Sequence, residues 1–198
     1  MKTDNNRFIF PNEWKEMIKL IKKDSTRMLF ELQMQTGGRF DELIHVRPRD
    51  FDFDRETLHL WKTKTKARKG EKVGKPRTLA LSREFSKKIK RFCKNKNPDG
   101  YLFDISQSGY NQLLKAKMDA ILHQFAPEFS SHNIRKTHGM YLKAMNVDIA
   151  EICTRLGHDY NTYLKHYGSA SVFTEIDMRE IENILGRTLV DRLRGRRH

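Results

Sequence analysis

Thr36-Gly37-Gly38-Arg39-Phe40-Asp41-Glu42-Leu43 separates the first helical region of the chain from everything after it. Upstream, Met28, Leu29 and Leu32 recur at helical spacing, which predicts a helix from Ser25 onward. The two glycines stop it, because glycine enters left-handed backbone at little steric cost and lets the chain turn tightly. Arg39 then opens a short helical turn that Pro48 closes, with Glu42 three residues on as a local partner. An arginine placed in this way can be held rigidly. Its planar, permanently charged fork matches the geometry of a phosphate.

Outward from that stretch the periodicity changes twice. Residues 1–10 read as a flexible lead-in, and Pro11-Asn12 opens a helix with Trp14, Met17, Ile18 and Ile21 on one face. Downstream, Phe51 and Phe53 alternate with acids, Leu58 and Leu60 follow in the same rhythm, and Thr78 to Leu81 forms a third strand-like run. Between the last two runs, Lys62 to Arg77 carries eight Lys or Arg and one acid, Glu71. Set between strands, it reads as a hairpin with a basic tip. Helical spacing returns with Phe85, Ile89 and Phe92, then over Ser108 to Phe125, from His132 through Leu142, and over Asp148 to Leu156. It returns last over Glu175 to Leu193, before a basic end. The expected class is mainly α with a small antiparallel β-sheet near the front, an α+β fold.

Composition narrows the function. The 198 residues carry 39 Lys plus Arg against 25 Asp plus Glu, a formal charge of +14, which calls for a polyanion or an anionic surface. No apolar run approaches the roughly 20 residues of a membrane span. The two cysteines, Cys93 and Cys153, lie in amphipathic segments and read as reduced thiols in a reducing compartment.

Two further constellations carry chemistry. In His132-Asn133-Ile134-Arg135, spacing of three on a helix places an imidazole and a guanidinium together. Leu156-Gly157-His158 is followed by tyrosines at 160, 163 and 167, each a nucleophile by type. Residues 148 to 167 also read as a helix-turn-helix with Gly157 in the turn.

Taken together, order and spacing resemble the tyrosine recombinase (phage integrase-like) family over residues 10 to 185. Thr36 to Leu43 resembles its T-G-x-R-x-x-E-L box, His132 to Arg135 its H-x-x-R box, and Leu156-Gly157-His158 its L-G-H box. The family's nucleophile stands nine residues after that histidine, at Tyr167 here. Its catalytic lysine lies in a hairpin between the first two boxes, where Lys64 fits best with Lys62 and Lys66 as rivals. Lys136 stands where the family often has histidine.

The resemblance implies the catalytic-domain fold over residues 11–185, with 186–198 a basic tail and no counterpart of the N-terminal core-binding domain. It implies a DNA recombinase or integrase working without metal, ATP or other cofactor. Arg39 and Arg135 would hold the scissile phosphate with help from His158. Tyr167 would attack, His132 would take its proton and Lys64 would protonate the leaving oxygen. Lys62, Lys66, Arg68 and Lys69 would contact DNA. The implied partner is double-stranded DNA, gripped by a tetramer-like multimer, with no membrane. The implied setting is the cytoplasm or nucleoid, and a viral or plasmid origin fits. The competing readings are a non-catalytic helix-turn-helix binder, a type IB topoisomerase and a metal nuclease. The last lacks any recognised zinc spacing among the histidines.

Overall fold

A computed structural model describes residues 7–61, 76–122, 129–157, 159–167 and 172–195, the side chains of 165–167 excepted. Within those residues lie α1 (Pro11–Lys19), α2 (Asp24–Thr36), α3 (Phe40–Leu43), β1 (Phe51–Asp52), β2 (Thr57–Leu60), β3 (Arg77–Ala80), α4 (Arg83–Cys93), α5 (Gln107–Leu122), α6 (Ser131–Ala144), α7 (Ile149–Leu156), α8 (Tyr160–Tyr167), α9 (Glu175–Leu185) and α10 (Arg187–Leu193). The expected class holds: mostly helix, with one antiparallel sheet in the order β1-β2-β3.

The sheet register follows from alternation. Leu58 pairs with Leu79 and Leu60 with Arg77, while His59 pairs with Thr78. Paired residues share a face. Leu58, Leu60 and Leu79 are buried, so theirs is the core face, and Arg77 lies in phase with them.

Helix ends explain how the turns are placed. Pro11 begins α1 where its missing N–H costs nothing. α2 ends at Gly37, whose φ of +63° is left-handed and whose N–H donates to the Gln33 carbonyl at 2.8 Å. The Asp148 side chain accepts from Ala150 N at 2.8 Å to start α7, and Gly157 ends it at φ +60°. α2 and α6 pack together at the centre, and α6 also meets α5, α7 and α8. Leu29, Phe30, Leu32, Ile134, Tyr141 and Leu142 fill the space between them.

Three expectations change. Residues 7–10 are held rather than loose: Ile9 is fully buried, its N–H donates to Thr137 Oγ1 at 2.9 Å, and its carbonyl accepts from Tyr141 Oη at 2.9 Å. The periodic stretch from 175 to 193 is two helices, split at Gly186, where φ is +82° and a Cβ would lie 2.3 Å from that of Ser82. The segment expected as a tail from 186 therefore begins with a packed helix, burying Leu189 and Val190. Both cysteines are free, and burial pushes the Cys93 thiol up to about 11, which keeps it protonated and inert. No helix among the described residues is long and apolar enough to cross a membrane.

At Gly37 an added Cβ would lie 2.5 Å from His138 Cδ2 and 2.7 Å from Leu156 Cδ2, on top of the left-handed φ. At Gly195, φ is +71° and nothing lies within 4 Å. Gly195→Ala is expected to cost only the backbone term, about 1–2 kcal/mol. Gly37→Ala should cost clearly more in urea denaturation. Equal costs would contradict the packing described.

Candidate active site

Arg39 sits at the N-terminal boundary of α3. Its backbone N–H donates to Glu42 Oε2 at 2.7 Å, and its Nη1 donates to Glu42 Oε1 at 3.1 Å. The turn presenting it is braced from behind. Gln33 Nε2 donates to the Gly38 carbonyl at 3.0 Å and to the Ser131 carbonyl at 3.1 Å, while Gln33 Oε1 accepts from Tyr110 Oη at 2.6 Å. Gln33 is buried, so this network ties the turn to the start of α6 without help from solvent.

Glu42 is the acid that Arg39 and Arg77 share, and its side chain is only 1% exposed. Arg77 reaches it from β3 with two parallel bonds, Nη1 to Oε1 at 2.8 Å and Nη2 to Oε2 at 2.7 Å. Burial opposes ionisation of Glu42. The hydrogen bond and charge of Arg77, with lesser help from Arg39, outweigh it and hold the carboxyl below its ordinary range. Arg77 Nε also donates to the Arg155 carbonyl at 3.2 Å, near the end of α7. Counted only as part of the basic run, Arg77 was not among the expected site residues. Its phase with Leu79 and Leu81 is the signal that marks it as pointing inward.

Arg135 is buried on α6. Its Nη1 donates to the Gly37 carbonyl at 2.6 Å and its Nη2 to the Leu156 carbonyl. One guanidinium thus joins the turn that presents Arg39 to the turn that leads into His158. His132, three residues earlier, is exposed on the first turn of α6.

Arg155 and His138 fill the space behind. Arg155 Nη2 donates to the Gln35 carbonyl at 2.5 Å and to the Ala80 carbonyl at 2.7 Å. Arg155 Nε donates to His138 Nε2 at 3.1 Å, so the His138 proton sits on Nδ1 and is donated to the Met34 carbonyl at 2.6 Å. Burial first, and then the neighbouring Arg155, lower the affinity of His138 for a second proton well below normal, so it is neutral. Burial likewise lowers Arg155 to about 10, leaving it charged at neutral pH.

Of the tyrosines, Tyr163 is buried in the core, whereas Tyr160 is exposed. Tyr167 is the last residue of α8, a helix that packs on α6 and α7. Lys62, Lys64, Lys66, Arg68, Lys69 and His158 lie outside the described residues, as does the side chain of Tyr167. The arrangement therefore brings together Arg39, Arg135 and the approach to His158. Arg39 and Arg77 share the Glu42 carboxylate, with Arg135 and Arg155 buried nearby, and Arg39 keeps the most exposed side chain of the four, at 38%. Such a cluster suits an anion.

The phage integrase family matches residues 7–172. No curated protein matches by sequence. Among solved structures, the XerA recombinase superposes with a TM-score of 0.65 at 17% identity, over 92% of this chain and 65% of its own. The integrase of transposon Tn1549, in complex with circular intermediate DNA, gives 0.67 at 16% identity, over 92% of this chain and 66% of its own. A lambda integrase dimer bound to a COC′ core site gives 0.63 at 13% identity, over 88% and 63%. The chain thus spans about two thirds of the length of these relatives in fold.

The Glu42 cluster has a pH signature. A carboxyl with a depressed native pKa stabilises the fold above its unfolded pKa of about 4.3, and that contribution is lost as pH falls through the native value. Glu42→Gln should therefore flatten the acid limb of the stability–pH curve below about pH 4. It should also lower stability at pH 7 by about 3–5 kcal/mol, because Arg77 loses its buried partner. An acid limb identical to that of wild type in urea titrations would contradict the assignment.

Proposed function

Because the chain belongs to the phage integrase family, we propose that it cuts and rejoins DNA as a tyrosine recombinase, through a 3′-phosphotyrosyl intermediate. The observation that carries this reading is Arg135 bonded at once to the Gly37 and Leu156 carbonyls. It brings the segments before Arg39 and before His158 to one guanidinium.

In the proposed reaction Arg39 and Arg135 bind the non-bridging oxygens of the scissile phosphate and stabilise the charge that grows on them. His158 adds a hydrogen bond. A free tyrosine phenol is a weak acid with a pKa near 10, so His132 takes the Tyr167 proton as the oxygen attacks phosphorus. The new tyrosyl O–P bond forms as the P–O5′ bond breaks. Lys64 delivers a proton to the departing 5′ oxygen, a step worth about 10²- to 10⁴-fold. Lys62, Lys66, Arg68 and Lys69 neutralise neighbouring backbone phosphates. The phosphotyrosyl bond conserves the energy of the broken one, so a second 5′-hydroxyl reverses the step with neither metal nor ATP.

Duplex DNA is the proposed partner. The +14 charge supports it, as do the DNA-bound structures of the Tn1549 and lambda integrases. The lambda structure is a dimer, and a multimer on DNA is proposed here too.

The test uses a pool of nicked duplexes randomised around the nick, from which the short fragment bearing the new 5′-hydroxyl diffuses away after cleavage. Wild type should yield a protein–DNA adduct that survives denaturing gels, Tyr160→Phe should retain it and Tyr167→Phe should lose it. Arg39→Ala should cut adduct formation by at least about 10²-fold, with DNA affinity within a few-fold because the other cations carry the nonspecific term. No adduct from wild type would favour a helix-turn-helix binder built on α7 and α8. An adduct that persists in Tyr167→Phe would move the nucleophile elsewhere.

A further inference from the structure

Arg77 is placed by the fold, not by the recognition boxes. β3 reads Arg77-Thr78-Leu79-Ala80, and its pairing puts Arg77 opposite Leu60 on the core face of the sheet. An arginine forced to that face needs acceptors, and it finds three. Both Glu42 oxygens take its terminal nitrogens, and the Arg155 carbonyl takes Nε. Its side chain is 12% exposed. Its Nη1 lies 3.9 Å from where a Cβ on Gly157 would stand, so it borders the turn that leads into His158.

We propose that Arg77 is a positioning residue for Arg39. It fixes the Glu42 carboxylate and neutralises it, so that Arg39 is aimed yet lightly held, and it ties the base of the β2–β3 pair to the end of α7. This rests on the strand-transfer reading above.

The argument is one of geometry and charge balance. A carboxylate turns broadly about its last torsion, and Arg39 itself holds this one only by its backbone N–H to Oε2 at 2.7 Å and one side-chain contact to Oε1 at 3.1 Å. Two parallel bonds from Arg77 set the plane of the carboxylate, and that plane fixes both oxygens that receive Arg39. The buried charge of Glu42 must also be met. Were Arg77 absent, Arg39 would be the nearest cation able to fold onto Glu42 with both nitrogens, away from a phosphate. With Arg77 present, Arg39 makes one side-chain bond to Glu42 and remains partly exposed. Lysine keeps the charge but not the fork, so Arg77→Lys separates orientation from simple neutralisation.

The experiment measures single-turnover adduct formation on two nicked duplexes selected from the pool above. One carries an ordinary scissile phosphodiester and the other a methylphosphonate, which has no charge for Arg39 to meet. Arg77→Lys should slow reaction on the phosphodiester by at least about tenfold, the scale of a small misplacement, with DNA affinity within twofold. On the methylphosphonate the two proteins should differ by less than about threefold. In the free protein, the Arg39 guanidinium N–H signal in ¹⁵N NMR should shift or broaden in the variant. Should Arg77→Lys fail to fold, Glu42→Gln is expected to give the same pattern. Equal slowing on both substrates, a wild-type rate, or an unchanged Arg39 signal would each overturn the proposal. Absence of any adduct from wild type is a different failure: it removes the reaction, and the NMR arm alone then decides whether Arg77 orients Arg39.

Discussion

Burying guanidinium groups is the constraint around which this fold is arranged. Arg135 and Arg155 are almost without solvent, and Arg77 is nearly so. A buried cation without partners costs several kcal/mol. The Glu42 carboxylate meets Arg77, and backbone carbonyls receive all three: Gly37 and Leu156 for Arg135, Gln35 and Ala80 for Arg155, Arg155 for Arg77. Most of these carbonyls come from the ends of α2 and α7, where helices leave acceptors unused and carry partial negative charge. Two left-handed glycines, Gly37 and Gly157, let those ends approach the arginines.

The consequence is electrostatic. Dipoles can satisfy hydrogen bonds, but they do not cancel a formal charge. Two guanidiniums sharing one carboxylate leave a surplus of positive charge, and it is set in a hydrogen-bonded frame before any ligand arrives. A frame that needs no reorganisation is what stabilising a charged transition state requires. The partly exposed Arg39 side chain is where that surplus meets solvent. A backbone phosphate is the group of matching charge and shape on the polyanion that the +14 chain calls for. Behind the frame, His138 is neutral and spends both ring nitrogens on structure, which distinguishes it from the solvent-facing His132.

Much of this was legible in the sequence. The Gly37-Gly38-Arg39 turn declared itself through local backbone chemistry, and the helices around it through periodicity. Arg135 stood out in the sequence as a candidate, but its depth did not, because a spacing of three says nothing about what packs over a helix. Arg77 was hidden for the opposite reason. It ends a run of eight basic residues, and charge composition there masked the two-residue alternation that turns this one inward. Ile9 was missed because its hydrogen bonds lie on α6, more than a hundred residues away. Gly186 was missed because helical apolar spacing continues across it. What requires glycine there is the left-handed φ and the side chain of Ser82, which leaves no room for a Cβ. Except for Arg77, each miss has a long-range contact as its cause, and local pattern carries no information about those.

The most direct measurement is a structure of this protein on a nicked duplex that it has cleaved. The account predicts a phosphorus atom joined to Tyr167, with its non-bridging oxygens within hydrogen-bond distance of Arg39 and Arg135. A phosphate covalently held by another residue, or DNA seated on a face remote from Arg39 and Arg135, would contradict it.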